Sequence, residues 1–166
     1  MATLVESRQI ELIFDTDVEE KFTACDLDKI ETIIFNLLSN ATKFTNAGGK
    51  ITVNIFDKGE YIIISVKDTG IGIEDADKQK VFKRFLQVED TSHRNNEGSG
   101  IGLSLVKSFV EMHGGEITIE STYGIGSNFS IKLPILLIDE VEGKNEDNVI
   151  ESYVHKMNIE FSDIYS

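Results

Sequence analysis

The sequence predicts an α+β fold, an α/β sandwich in which helices cover one face of a mostly antiparallel sheet. Two long segments carry apolar residues at every third or fourth position, as amphipathic helices do, and five shorter segments have the alternating or β-branched pattern of strands. The strand segments span residues 9–16, 50–57, 61–68, 116–121 and 127–134. Packing the helices together on one face of such a sheet is the most economical arrangement.

The first strand is followed directly by the first long helix. Ile10, Leu12 and Phe14 alternate with polar residues, which indicates a half-buried strand. A helical pattern then begins at Asp26 and ends near Phe44, ahead of the turn sequence Asn-Ala-Gly-Gly. Its apolar residues are Leu27, Ile30, Ile33, Ile34, Leu37, Leu38 and Ala41.

The remaining elements follow in the order hairpin, short helix, loop, long helix and hairpin. The second and third strands are separated by a short turn, so we expect them to pair. A short helical piece is predicted over residues 78–86, and residues 89–97 have no periodicity, which indicates a mobile loop. The second long helix is predicted over residues 100–113, and Gly114 and Gly115 end it before the last two strands.

Length and composition predict one domain over residues 1–138 and an acidic C-terminal tail over residues 139–166. The chain has 166 residues, of which 40% are hydrophobic, and this is enough for one sizeable core. Residues 135–138 can still pack on the domain, whereas residues 139–148 have the composition of a solvated linker. The pattern over residues 149–165 allows a short terminal helix.

Charge and cysteine content exclude several classes of protein. A net charge of -13 argues against nucleic-acid binding, because that function needs clustered Lys and Arg. The single cysteine, Cys25, excludes an intrachain disulfide framework and favours a reducing compartment. No apolar run approaches the ~20 residues of a membrane helix, so we expect no direct membrane insertion.

The first long helix carries a polar stripe beside its apolar face. Asn36, Asn40 and Lys43 are spaced at i, i+4 and i+7. An amide oxygen of Asn40 facing a cleft is a suitable ligand for Mg²⁺, and Lys43 can reach phosphates bound to that ion. The alternative is that both asparagines are solvent-facing spacers.

Asp68 ends an apolar strand, so its carboxylate is expected at the edge of the core. There it can accept a hydrogen bond from an exocyclic amine such as that of adenine. Gly70 and Gly72 follow it, and without side chains they let the turn approach a ring closely. The alternative is an ordinary turn between a strand and a loop.

Gly98, Gly100 and Gly102 precede the second long helix. Unshielded amide groups and the positive end of the helix dipole are suited to holding phosphates at this place. The spacing Gly-x-Gly-x-Gly after a polar loop is not the dinucleotide-binding pattern, and the sequence has no Gly-x-x-x-x-Gly-Lys loop. The common nucleotide-binding folds are therefore disfavoured.

Taken in order, these motifs resemble those of the catalytic and ATP-binding domain of bacterial sensor histidine kinases. That domain belongs to a superfamily that also contains gyrase, mismatch-repair ATPases and heat-shock chaperones. The resemblance covers roughly residues 9–134. The family's asparagine box matches residues 36–45, and its phenylalanine box matches residues 81–85. The first, second and last glycine boxes match residues 68–73, 98–105 and 124–129.

The resemblance implies a five-stranded mixed sheet covered on one face by three main helices, with residues from about 74 to 97 as a mobile lid over ATP. It implies Mg-ATP as the bound nucleotide, with Asn40 as the magnesium ligand. Catalytic roles would fall to Asn36, Lys43 and Arg84. Nucleotide contacts would come from Asn36, Asn40, Lys43, Phe44, Asp68, Gly70, Gly72, Ile73, Phe85, Gly98, Ser99, Gly100, Ile101, Gly102 and Leu103.

Asn36 stands where the ATP-hydrolysing members of the superfamily carry a glutamate that activates water. A neutral amide does not accept a proton at neutral pH, so hydrolysis should be slow and the γ-phosphoryl kept for an acceptor. The lid cations would be Arg84, His93 and Arg94. Many family members have an arginine where this chain has Gln87, which leaves a solvated surface role open for each of these cations.

In the family, the phosphorylated histidine is followed by an acidic residue. No histidine of this chain fits that pattern, because His93 precedes Arg94, His113 precedes Gly114 and His155 precedes Lys156. We therefore expect the acceptor histidine on a separate dimerisation domain of the parent kinase, with a response regulator receiver domain as the next partner. The fragment is expected to be monomeric and the parent a homodimer. The parent is expected to be membrane-anchored with this domain in the cytoplasm.

Three alternative functions are compatible with membership of the same superfamily. The chain could be a serine kinase that regulates a sigma factor or a metabolic enzyme. It could be an ATP-gated conformational switch like gyrase or the chaperones, which Asn36 disfavours. It could also be a degenerate module that binds a partner without nucleotide, which the completeness of the motifs disfavours.

Overall fold

The computed structural model describes residues 8–19, 21–83 and 102–136. The described elements are β1 (Glu11–Thr16), α1 (Leu27–Phe44), β2 (Lys50–Asp57), β3 (Tyr61–Asp68), α2 (Asp75–Lys78), α3 (Gly102–Met112), β4 (Glu116–Thr122) and β5 (Gly126–Pro134). The predicted five-stranded mixed sheet with helices on one face is confirmed.

The strand order in the sheet is β1-β2-β3-β5-β4. β1 pairs with β2 in parallel, and every other pair is antiparallel. β1 and β2 are parallel because α1 connects them and returns the chain to the end of the sheet at which β1 begins. The neighbouring strands β3 and β5 run antiparallel, so the last residue of β3 lies beside the start of β5. There Asp68 pairs with Ser127.

The core lies between the sheet and the pair α1 and α3. Side chains of α1 and α3 meet alternate residues of β2, β3 and β5, since successive strand residues point to opposite faces. The most deeply buried residues are Ile33, Leu37, Ile51, Val66, Val106, Val110 and Ile131. Asp26 begins α1 as its N-cap and accepts a hydrogen bond from the Lys29 amide.

Main-chain hydrogen bonds hold the residues after β5 against the turn between β2 and β3 and against the segment before α1. Ile135 donates to the Glu60 carbonyl at 2.9 Å, and Ala24 donates to the Leu136 carbonyl at 2.7 Å. His113 bridges the helices: its Nδ1 bonds the Phe109 carbonyl at 2.7 Å, and its Nε2 accepts from the Asp26 amide at 3.1 Å. The packing expected after β5 is thus present at residues 135 and 136.

The short helix differs from its predicted position over residues 78–86. The structure places α2 at Asp75–Lys78, and residues 79–83 continue as turns. The acidic first turn favours this earlier start, because Asp75 pairs with Lys78 and Asp77 with Lys80, and negative charge stabilises a helix N-terminus. Phe82 then leaves the helical path and packs edge-on against Phe129, with ring centroids 6.3 Å apart.

Several predicted features fall on residues outside the described ranges. These are residues 84–86 of the short helix, most of the lid, the start of the helix at residue 100, and the tail over residues 139–166. Across the described parts of the chain, no helix combines the length and apolar character needed to cross a bilayer.

Candidate functional site

A row of three polar side chains crosses the end of the sheet on its helix-covered face. Asp68 of β3 lies opposite Ser127 of β5, and Ser127 lies opposite Ser121 of β4. All three are buried, and the next row on the same face is apolar, with Val66, Phe129 and Ile119. Burying polar groups costs free energy unless they are hydrogen-bonded, so their partners define the site.

Asp68 is only 6% exposed, as expected from its place at the end of an apolar strand. Its Oδ1 accepts hydrogen bonds from the Gly70 amide at 2.8 Å and from the Ser127 amide at 3.3 Å. Among the described residues, no donor bonds its Oδ2. Burial raises the pKa of the Asp68 carboxyl, and the two amide hydrogen bonds partly oppose that rise. One oxygen is therefore fixed by the main chain and the other remains for a ligand.

The turn after Asp68 is wedged between α1 and β4. A Cβ atom at Gly70 would overlap the Phe44 carbonyl oxygen, and one at Gly72 would overlap the Thr122 carbonyl oxygen. The space beside both glycines is thus filled by main chain of the protein, not left open for a ring. This packing gives both glycines a structural reason, and a nucleotide contact by either one stays a prediction.

Asn36 of α1 and Gly102 of α3 lie against each other where the two helices meet. The Asn36 Nδ2 donates to the Thr32 carbonyl at 2.7 Å, so Oδ1 faces away from its own helix. That oxygen lies 2.6 Å from where a Cβ atom of Gly102 would stand, at the first residue of α3. The predicted asparagine stripe and the predicted phosphate-binding helix start are therefore adjacent.

Asn40 is half-buried one turn after Asn36. Among the described residues, its carboxamide has no hydrogen-bond partner, and a half-buried amide in this state is available to a ligand. Those residues also contain no group of three or more His, Cys, Asp or Glu side chains able to hold a metal ion. A divalent ion here would take amide, phosphate and water oxygens, which fits Mg²⁺ brought by a nucleotide.

The other predicted contact residues have mixed environments. Lys43 lies with its Nζ 5.2 Å from the centroid of the Phe44 ring, and that ring is 38% exposed at the end of α1. Ile73 and Leu103 are partly buried and pack on the core. The predicted residues that lie outside the described ranges are Arg84, Phe85, Gly98, Ser99, Gly100 and Ile101.

Ser121, Ser127 and Gly126 were not among the residues assigned to the site from sequence. Gly126 has φ +139°, and a Cβ atom there would overlap the main-chain carbonyl oxygen of Asp68, so glycine lets the start of β5 approach the main chain at Asp68. Gly126 and Ser127 lie in the last glycine box, and the signal that could have added Ser121 is the hairpin. Aligning the last two strands around their turn puts both serines on the inward face beside Asp68.

Replacing Gly102 by alanine should leave the domain folded and weaken nucleotide binding about tenfold. The new methyl group displaces the Asn36 carboxamide, while the helix gains up to about 1 kcal/mol in propensity. Calorimetric titration with ATP and urea unfolding measure the two effects. In an Asn36→Ala background, the same change should cost no affinity, and an equal loss there would contradict the contact.

The amino-acid pattern of one family, described as histidine kinase-, DNA gyrase B- and HSP90-like ATPase, matches residues 25–137. The chain is 39% identical to the circadian input-output histidine kinase CikA of Synechococcus elongatus over 81% of its own length and 18% of CikA. It is 37% identical to the autoinducer 2 sensor kinase/phosphatase LuxQ of Vibrio cholerae, over 86% of this chain and 17% of LuxQ. The chain thus spans less than a fifth of the length of these relatives.

The same kinship is seen in solved structures. The nucleotide-free catalytic domain of histidine kinase ThkA superposes with a TM-score of 0.69 at 28% identity, covering 80% of this chain and 83% of that one. ThkA in complex with the response regulator protein TrrA superposes with a TM-score of 0.65 at 27% identity, covering 79% and 36%. The resemblance inferred from the sequence motifs is confirmed. The chain belongs to the family of histidine kinase-, DNA gyrase B- and HSP90-like ATPases, and its relatives there are sensor histidine kinases.

Proposed function

We propose that this domain binds Mg-ATP and transfers the γ-phosphoryl group to a histidine of a dimerisation domain, for relay to an aspartate of a response regulator. The observation that carries the proposal is the Asn36 carboxamide, held by the Thr32 carbonyl and set against Gly102 at the start of α3. A neutral amide beside a phosphate-binding helix end can position a nucleotide without activating water. The phosphoryl group is then conserved for the acceptor.

Each part of the nucleotide has a proposed partner in the chain. Asp68 Oδ2 accepts a hydrogen bond from the exocyclic amine of adenine. The start of α3 and Lys43 face the phosphates, where positive charge favours transfer through positioning and charge neutralisation. Asn40 would hold Mg²⁺, which when bound neutralises phosphate charge. Residues 84, 85 and 98–101 are proposed contacts from sequence alone.

The relatives support the proposed partners. ThkA has been solved with the response regulator TrrA, which supports a receiver domain as the final phosphoryl acceptor. We propose a homodimeric parent kinase in which a dimerisation domain supplies the histidine, with this domain on the cytoplasmic side of the membrane. We assign the catalytic unit to residues 1–138 and leave residues 139–166 outside it.

The test is transfer of label from γ-labelled ATP to a separately produced dimerisation domain of a sensor kinase. We expect a phosphorylated histidine that is labile in acid and stable in base. Tight ATP binding without any labelled histidine, across several dimerisation domains, would overturn the proposal. An acid-stable product would instead support the second candidate, a serine kinase.

Replacing Asn40 by alanine should remove the part of ATP binding that depends on magnesium. Titrations with magnesium and with EDTA should differ strongly for the unchanged protein and hardly at all for the variant, because the amide ligand is gone. Asn46→Ala is the matched control, since Asn46 is exposed just beyond the same helix and should keep the magnesium effect. A variant that keeps the full effect would exclude Asn40 as a ligand.

A further inference from the structure

Ser121 of β4 makes a closed set of hydrogen bonds that fixes its neighbour Ser127. The Ser121 Oγ accepts from the Ile73 amide at 2.8 Å and lies 3.0 Å from the Gly126 carbonyl oxygen. It also lies 2.9 Å from the Ser127 Oγ. Both serines are buried, so these bonds are not exchanged for bonds to bulk water.

Counting protons decides the direction of the bond between the two hydroxyl groups. A carbonyl oxygen only accepts, so the single Ser121 proton must point at Gly126. The Ile73 amide occupies one Ser121 lone pair. The bond between the serines therefore uses the Ser127 proton, which points at the second Ser121 lone pair. With its proton committed in this way, the Ser127 hydroxyl presents only lone pairs in all other directions.

Ser127 lies beside Asp68, the proposed base-reading residue. The two residues pair directly across β3 and β5, and the Ser127 amide donates to Asp68 Oδ1. Asp68 Oδ2 and the Ser127 hydroxyl are consequently two acceptors on directly paired residues that face the same side of the sheet. Two acceptors suit an exocyclic amine, which has two protons, and repel an exocyclic carbonyl oxygen.

We infer that Ser121 is a positioning residue for base selection, which commits the Ser127 proton and so makes the site favour a 6-aminopurine over a 6-oxopurine. Ser121 acts through Ser127 and makes no contact with the base itself. The inference rests on the proposed nucleotide function and deepens it.

The experiment compares ATP with inosine triphosphate, which differs at the 6-position by carrying oxygen in place of the amine. In Ser121→Ala the Ser127 proton is released and can rotate to donate to the 6-oxo group. We expect the dissociation constant for inosine triphosphate, divided by that for ATP, to fall by about 5-fold or more. Ser121→Thr keeps the hydroxyl group and should keep the ratio, whereas Ser121→Cys, which keeps the shape, should lower it.

A merely structural role for Ser121, such as holding the Ile73 amide, would weaken both nucleotides equally. It would also add to the effect of Ser127→Ala, whereas our inference requires that Ser121→Ala change nothing further in a Ser127→Ala background. Ser130→Ala controls for loss of a serine hydroxyl, because Ser130 is on β5 and on the opposite face. An unchanged ratio in both Ser121→Ala and Ser121→Cys would overturn the inference. Failure of the unchanged protein to bind ATP would overturn the proposed function instead.

Discussion

Replacing Asp68 by asparagine should lower ATP affinity at least about 100-fold, equivalent to about 3 kcal/mol, without unfolding the domain. The asparagine oxygen can still accept from the amides of Gly70 and Ser127, which now fix Oδ1. Its NH₂ group then takes the place of Oδ2. A donor faces the donating amine of adenine, so the base-reading contact is lost and not merely weakened.

The loss should be the same with magnesium and with EDTA, which separates Asp68 from Asn40. Isothermal titration under both conditions provides the measurement. Asp15→Asn is the matched control, because Asp15 is exposed on the edge strand β1. This variant should bind ATP as tightly as the unchanged protein. A loss that appears only when magnesium is present would show that the carboxylate acts through the metal site.

The same substitution should stabilise the nucleotide-free protein at neutral pH. Burial raises the pKa of the Asp68 carboxyl, so the folded state holds this proton to higher pH than the unfolded state does. Stability therefore falls as pH rises from the usual carboxyl range, about pH 4, through the raised pKa. Asparagine has no such penalty, and its advantage in urea unfolding should grow between pH 4 and pH 7. An advantage that shrank over this range would contradict the assigned direction.

Much of the fold was predictable because its strands have clean patterns. β2 and β3 begin and end where their alternation and the turn between them predict. The short helix was placed too late, since the apolar residues around Phe82 suggest a helical face. In the structure Phe82 instead packs on Phe129, which is distant in sequence, and the helix is set by its acidic first turn.

The position of a candidate site residue was predictable where its neighbours in the sequence signal it. Asp68 is marked by an apolar strand before it and glycines after it, and it is buried as expected. The contact between Asn36 and Gly102 joins two helices separated by 57 residues of intervening chain, which include β2 and β3, and no local pattern contains it. The serine pair was missed because it depends on the register of a hairpin.

The glycines after Asp68 show that one residue type can be required for two different reasons. Glycine at position 72 is expected from either a close ligand or a close main chain, and the sequence does not distinguish them. The structure supplies the second reason, because the turn is held at both sides: Ile71 donates to the Phe44 carbonyl and accepts from the Gly124 amide. The turn is therefore part of the frame that holds Asp68, and its disturbance should affect stability and binding together.

Replacing Gly72 by alanine should destabilise the domain by about 3 kcal/mol or more and weaken ATP binding as well. Gly72 has φ +69°, which costs an L-residue roughly 1–2 kcal/mol, and its new Cβ atom would overlap the Thr122 carbonyl. The main chain has to move, and with it the bond from the Ile73 amide to Ser121.

Gly59→Ala separates the two causes. Gly59 has φ +82°, close to that of Gly72, but a Cβ atom there meets no other atom within 4 Å. It should therefore show the conformational cost alone, roughly 1–2 kcal/mol, with unchanged ATP affinity. Urea unfolding and ATP titration of both variants measure the difference. Equal losses of stability in the two variants would mean that the turn can yield at Thr122, and that the frame around Asp68 is softer than this packing requires.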